Sequence, residues 1–163
     1  MMVSCSNVTV RHSADPSVDF SDFNTWDWTE GPALEPEYRL ADDPDRIDRR
    51  IKDSIGSELR AKGFEKAESG PDLLVLYFGG GGLREDASAT EMGYVSWNQE
   101  SIEKQSFKKG TLIVDVIDSE TMRLVWRGYA EKAFDRNPDN DQLERAIEEV
   151  ISKMFEDFPP DRG

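Results

Sequence analysis

Side-chain oxygens fall at the first, third, fifth and seventh positions of Asp135-Arg136-Asn137-Pro138-Asp139-Asn140-Asp141. An EF-hand presents oxygen to calcium in this way, but it also needs glycine at position six for the turn and glutamate at position twelve as the bidentate ligand. Here those places hold Asn140 and Ala146, and Glu144 is out of step. Asp135, Asn137, Asp139 and Asp141 are therefore a weak calcium candidate, and a helix start capped by Asp139 with Gln142 accounts for the same residues more simply. General acid–base work needs two carboxylates converging on one cleft from different environments. Asp115 and Asp118, the pair a hydrolase would use, are three apart in a predicted strand and so face opposite ways. Gly79 to Gly82 follows a predicted strand as phosphate-cradling loops do, yet no Lys-Ser, Lys-Thr or GxGxxG spacing accompanies it. These glycines are expected to form a flexible loop. No catalytic residue, metal set or cofactor site emerges, and the expectation is a protein that is not an enzyme.

Aromatic residues offer a different chemistry, that of surfaces. Trp26 and Trp28 stand among Asp, Ser and Thr residues and could form a sugar-stacking platform, although covering a sheet edge is the simpler role. Tyr94 and Trp97 lie in the stretch with the weakest pattern and are candidates for a private interaction surface.

Charge narrows the partners. Twenty basic against 34 acidic residues give a net charge of −14 over 163 residues. Such a chain repels phosphate backbones and shows no basic stripe, so nucleic acid is an improbable partner. The same charge disfavours adhesion of the folded domain to an anionic membrane. With one Cys and one His, neither an internal disulfide nor a structural zinc site is expected.

That Cys has another possible use. Met1-Met2-Val3-Ser4-Cys5-Ser6 resembles the tail of a bacterial lipoprotein signal, in which small residues fit the peptidase and the thiol takes a diacylglycerol. Cys5 is thus the expected lipidation position, giving a membrane contact through an N-terminal lipid only. Ser6 after it resembles the outer-membrane sorting pattern of Gram-negative lipoproteins.

The elements that must position these groups follow from periodicity. Residues 1–7 read as residual signal and tether, and residues 8–160 as one domain with a variable glycine-rich insertion at 79–106. Val8 to His12 alternates as a short strand. Asp43 and Pro44 open a helix whose Ile47, Ile51, Ile55 and Leu59 share one face, and Gly63 supplies its left-handed end with Phe64 packing back. Leu73 to Phe78 reads as a strand buried on both faces. Gly110 to Ala133 reads as a hairpin turning at Asp118-Ser119-Glu120-Thr121. Its return strand is expected to place Met122, Leu124, Trp126, Gly128 and Ala130 on one face. Asp115 opposite Arg123 or Arg127 would form a cross-strand pair worth a few tenths to about 1 kcal/mol. A last helix presents Leu143, Ile147, Val150, Ile151, Met154 and Phe155 before Phe158-Pro159-Pro160 ends it. The expected fold is α+β, a mostly antiparallel sheet of four to five strands with two amphipathic helices packed on one face.

Several short motifs come in an order that resembles a known family. They are Val18-Asp19-Phe20, Thr25-Trp26-Asp27-Trp28, Lys62-Gly63-Phe64, Pro71-Asp72-Leu73, Gly110-Thr111-Leu112, Leu124-Val125-Trp126-Arg127-Gly128 and Phe158-Pro159-Pro160. The order is similar to that of the bacterial lipoproteins grouped as domain of unknown function 4136, over nearly all of residues 8 to 160. The resemblance implies a small α+β envelope domain on a lipid anchor, at the periplasmic face of the outer membrane. It brings no catalytic residues. A binding or scaffolding role toward an envelope protein or cell-wall component is the resulting expectation, with a small-ligand or calcium-binding envelope protein as the alternative.

Overall fold

The computed structural model describes residues 8–29, 43–80, 111–132 and 138–160. Strand β1 (Val8–Ala14) is followed by a single 3-10 turn (Phe20–Asp22), strand β2 (Thr25–Trp28) and helix α1 (Pro44–Ala61). Strands β3 (Glu65–Lys66), β4 (Leu73–Gly80), β5 (Thr111–Asp118) and β6 (Arg123–Lys132) come next, and helix α2 (Asn140–Met154) closes the order. The strands form one six-stranded sheet in the order β1-β6-β5-β4-β2-β3.

The sheet is mixed, which corrects the expectation of a mostly antiparallel sheet of four to five strands. β1–β6, β6–β5 and β5–β4 are antiparallel, whereas β2 pairs in parallel with both β3 and β4. Parallel neighbours need a long crossover, and α1 lies within the connection that supplies it. β2 and β3 escape a pattern search because they are short. β3 has two residues, both exposed, and its place is fixed by backbone bonds from Glu65 N–H to the Asn24 carbonyl and from Ala67 N–H to the Trp26 carbonyl, 2.9 Å each.

The helices form where their caps and apolar spacing dictate. Asp43 accepts from Arg46 N–H at the start of α1, and Asp139 accepts from Gln142 N–H while Gln142 Oε1 accepts from the Asp139 N–H. At the end of α1, Gly63 takes φ +93°, a conformation that side chains with a Cβ rarely adopt, and Phe64 N–H bonds back to the Leu59 carbonyl. Ile47, Ile51, Ile55 and Leu59 of α1 and Leu143, Ile147, Val150, Ile151 and Met154 of α2 share one core with Val75, Tyr77, Val114, Val116 and Trp126 of the sheet. Both described helices thus cover the same sheet face.

Two details of β4 to β6 differ from simple alternation. Gly79 and Gly80 are paired with Leu112 and Thr111, so the first half of the glycine run extends β4 instead of leaving it. Between Val116 and Ile117 the register slips, with Val116 opposite Trp126 but Ile117 opposite Leu124. Val125 is the extra residue, and a bulge of this kind reverses the alternation beyond it. Leu124 therefore shares the face of Ile117 and Asp115, not that of Trp126 as alternation predicts. This second face is buried as well, with Leu76, Ile113, Ile117 and Leu124 all at 4% exposure or less.

Gly128 stands where α2 meets the sheet. A Cβ there would lie 2.4 Å from Met154 Cγ and Sδ and 2.6 Å from the Trp126 ring. Only glycine permits this approach, which gives the Trp-Arg-Gly motif a packing reason.

Candidate functional site

Three of the short motifs meet at one end of the molecule. Phe20 of the 3-10 turn, Phe64 behind α1 and Phe158 behind α2 join Trp126 and Phe155 in an aromatic cluster. Phe158 lies 5.6 Å from Phe20, 5.6 Å from Phe64, 5.0 Å from Trp126 and 5.3 Å from Phe155 between ring centroids. Above this floor opens a groove of about 500 Å³ lined by Asp19, Phe20, Ser21, Phe23, Asn24, Lys62, Gly63, Phe64, Pro159 and Pro160.

Each wall has a local cause. Asp19 caps the 3-10 turn by accepting from Ser21 N–H at 3.0 Å and Ser21 Oγ at 2.7 Å. Asp72 accepts from Asn24 N–H at 2.8 Å and Thr25 N–H at 3.0 Å, while its own N–H donates to Thr25 Oγ1 at 3.0 Å. The Asn24 and Thr25 amides hold the Asp72 carboxyl below the usual carboxylate range. That clamp fixes Asn24 at the groove wall against the start of β4. Lys62 turns its ammonium to the Glu156 carbonyl at 3.1 Å, joining the last turns of both helices.

The residues singled out from the sequence are scattered by comparison. Trp26 is 3% exposed and packs edge-to-face on Trp28 at 5.1 Å, so it presents almost no surface to a partner, while Trp28 is half-buried. Asp139 caps α2 and Asp141 pairs with Arg46 at 2.7 Å, which engages both in structural contacts. Cys5, Tyr94, Trp97, Asp135 and Asn137 lie outside the described residues. Among the described residues no group of three or more His, Cys, Asp or Glu side chains is placed to hold a metal ion. No helix there is long and apolar enough to cross a membrane.

Asp115 and Arg127 are the groups whose environment differs most from the sequence expectation. Asp115 is fully buried and Arg127 is 7% exposed. The guanidinium donates through Nε to one carboxylate oxygen at 2.6 Å and through Nη2 to the other at 2.7 Å. The expected cross-strand pairing of Asp115 with Arg127 is present, but a bidentate pair removed from water costs more than tenths of a kcal/mol to break, because either partner left alone would be a buried charge. Asp118, the other carboxylate considered for catalysis, accepts from Glu120 N–H at 2.9 Å in the hairpin turn. Tyr77 donates to Asp48, and burial first, then that carboxylate, pushes its hydroxyl well above the ordinary tyrosine range.

A family model described as a domain of unknown function, DUF4136, matches residues 10–160. The chain belongs to the DUF4136 family. No curated protein matches it in sequence. Among solved structures, a PDZ domain protein from Parabacteroides distasonis is similar at 16% identity and a TM-score of 0.58, covering 97% of this DUF4136 chain. The chain spans 38% of that protein's length, and the likeness concerns the fold. A PelC dodecamer from Paraburkholderia phytofirmans is similar at 14% identity and a TM-score of 0.48, with 90% of this chain and 95% of that one covered.

Asp19, Phe20, Lys62, Gly63, Phe64, Pro159 and Pro160 of the groove belong to the family motifs, but sequence reasoning did not assemble them into a site and did not single out Ser21 or Asn24. The signal was in Val18-Asp19-Phe20, Lys62-Gly63-Phe64 and Phe158-Pro159-Pro160, which bring aromatic and turn residues together from three distant segments.

Proposed function

We propose that this DUF4136 protein is a binding or scaffolding module of the Gram-negative cell envelope. It is held at the periplasmic face of the outer membrane by a lipid on Cys5 and has no catalytic role. The observation that carries the binding half is the division of labour among the described side chains. Asp115, Asp118, Asp139 and Asp141, the carboxylates considered for chemistry, engage in an ion pair, a turn, a cap and a helix–helix contact. The groove at the helix ends offers a concave surface of mixed aromatic, proline and polar character. The anchoring half is supported by Ser4-Cys5-Ser6 and by the charge of the domain, which disfavours direct adhesion to anionic lipid.

The test is metabolic labelling with an alkyne fatty acid in a Gram-negative host expressing the gene with its own upstream codons. Wild type should take up label and partition into detergent, and Cys5→Ala should do neither. Unlabelled wild-type protein in the cytoplasmic fraction would sink the anchoring half.

A further inference from the structure

The electrostatics of the groove add to its shape. α1 and α2 run parallel, since Arg46 meets Asp141 and Glu144 at 2.7 Å at one end and Lys62 meets the Glu156 carbonyl at 3.1 Å at the other. Both helices therefore end beside the groove, and aligned peptide dipoles leave partial negative charge at each C-terminus. Asp19 and Lys62 are the charged residues lining the groove, and the segments that supply its walls, 19–24, 62–65 and 156–160, add Asp22, Glu65, Glu156 and Asp157, the last 3.5 Å from His12 Nε2. The four acids after Asp19 are exposed, and the Lys62 ammonium is already bonded to a carbonyl. Phe20 and Phe64 are 5% exposed each, so among the aromatic residues lining the groove Phe23 alone offers appreciable ring area. Half-buried Phe23, Pro159 and Pro160 suit an extended chain, which docks its apolar side chains between rings and prolines.

We propose that this groove binds an extended cationic peptide segment of a partner protein, rich in Arg or Lys and containing proline. Its basic side chains would meet Asp19, the exposed acids of the adjoining segments and the two helix ends, and its prolines would lie against Phe23 and Pro159-Pro160. The inference rests on the binding-module reading and names the chemistry of the partner.

The experiment uses the full chain and three labelled octapeptides alternating proline with arginine, serine or glutamate, followed by fluorescence anisotropy at low and high salt. The arginine peptide should bind about tenfold more tightly than the serine peptide, lose affinity with salt, and shift backbone amides within residues 19–24 and 62–65. Asp22→Lys with Glu156→Lys, both at exposed positions, should weaken that binding about tenfold while leaving the melting temperature unchanged. Equal binding of arginine and glutamate peptides, amide shifts elsewhere, or full affinity in the double variant would overturn the proposal. So would binding of chitohexaose at the groove in place of the peptide. In whole envelopes, a photo-crosslinking residue at Ser21 is compared with one at Arg145 on the outer face of α2. A partner captured at 145 alone would remove the groove and leave the binding module standing, whereas capture at neither position would count against the module itself.

Discussion

Two of the ion-pair groups among the described residues differ in almost every physical respect. Asp115 and Arg127 form a buried bidentate pair between neighbouring strands, at 0% and 8% side-chain exposure. Arg46 and Arg50 of α1 form a ladder with Asp141, Glu144 and Glu148 of α2, and both arginine side chains are 38% exposed. The ladder pushes Arg46 further above its already high range, chiefly through the hydrogen bonds it donates to Glu144 and then to Asp141. It also holds Glu144 below its ordinary value. Water and salt screen the ladder, so its net contribution is small. The strand pair has lost its water, so its worth lies in the damage done when one partner goes missing.

The largest effect should come from breaking the buried pair on one side. Arg127→Met leaves the Asp115 carboxylate buried without its fork and should lower stability by about 3–5 kcal/mol in urea unfolding. Asp115→Val combined with Arg127→Met should recover part of that loss, because two apolar side chains leave neither member of the pair as a buried charge. A double variant as unstable as the single one would show that the pair is needed for more than mutual neutralisation.

The neighbouring Gly128 sharpens the contrast between packed centre and solvated ladder. Gly128→Ala drives a methyl into Met154 and Trp126 and should cost about 1–3 kcal/mol. Met154→Ala is costly by itself, but in combination it should be less than additive by calorimetry, because it removes the atoms 2.4 Å from the new methyl.

On the ladder, Arg46→Gln should give a smaller loss, one that disappears in 1 M salt, where the Debye length falls to about 3 Å. The Arg127→Met loss should survive the same salt. If both respond alike, the distinction by burial is wrong.

Acid gives the mildest probe. The folded-state values of Asp72, Glu144 and Glu149 lie below their ordinary ones, owing first to the Asn24 amide, to Arg46 and to Lys132 respectively. Each therefore contributes stability that is complete above the ordinary carboxylate range and lost as pH falls through the depressed folded value. Urea midpoints should be flat near neutrality and decline only in acid, and Asp72→Asn should flatten part of that decline.

How much of this was legible in the sequence depends on how local each feature is. Caps, helix faces, the Gly63 helix end and the Asp118 turn depend on residues within a few positions of each other, and their patterns identify them. β3 has no pattern to find, since Glu65 and Lys66 become a strand only because β2 lies alongside. Alternation assigns Leu124 to the wrong face because nothing in Leu124-Val125-Trp126 announces a bulge. The burial of Arg127 was equally hidden, as strand period tells which residues share a face and not whether that face is covered. The groove needed three segments to converge, and a linear reading sees them only as separate motifs.

The ladder also bears on the order of folding. Its hydrogen bonds join residues 95 and 98 positions apart, and closing so long a loop before other contacts exist is entropically unfavourable. The neighbouring hairpin strands β5 and β6 meet over a far shorter span, so they can form first and carry α2 toward α1. The ladder then acts as a latch fastened after the barrier has been crossed. Arg46→Gln should accordingly speed unfolding in stopped-flow measurements while leaving the refolding rate nearly unchanged.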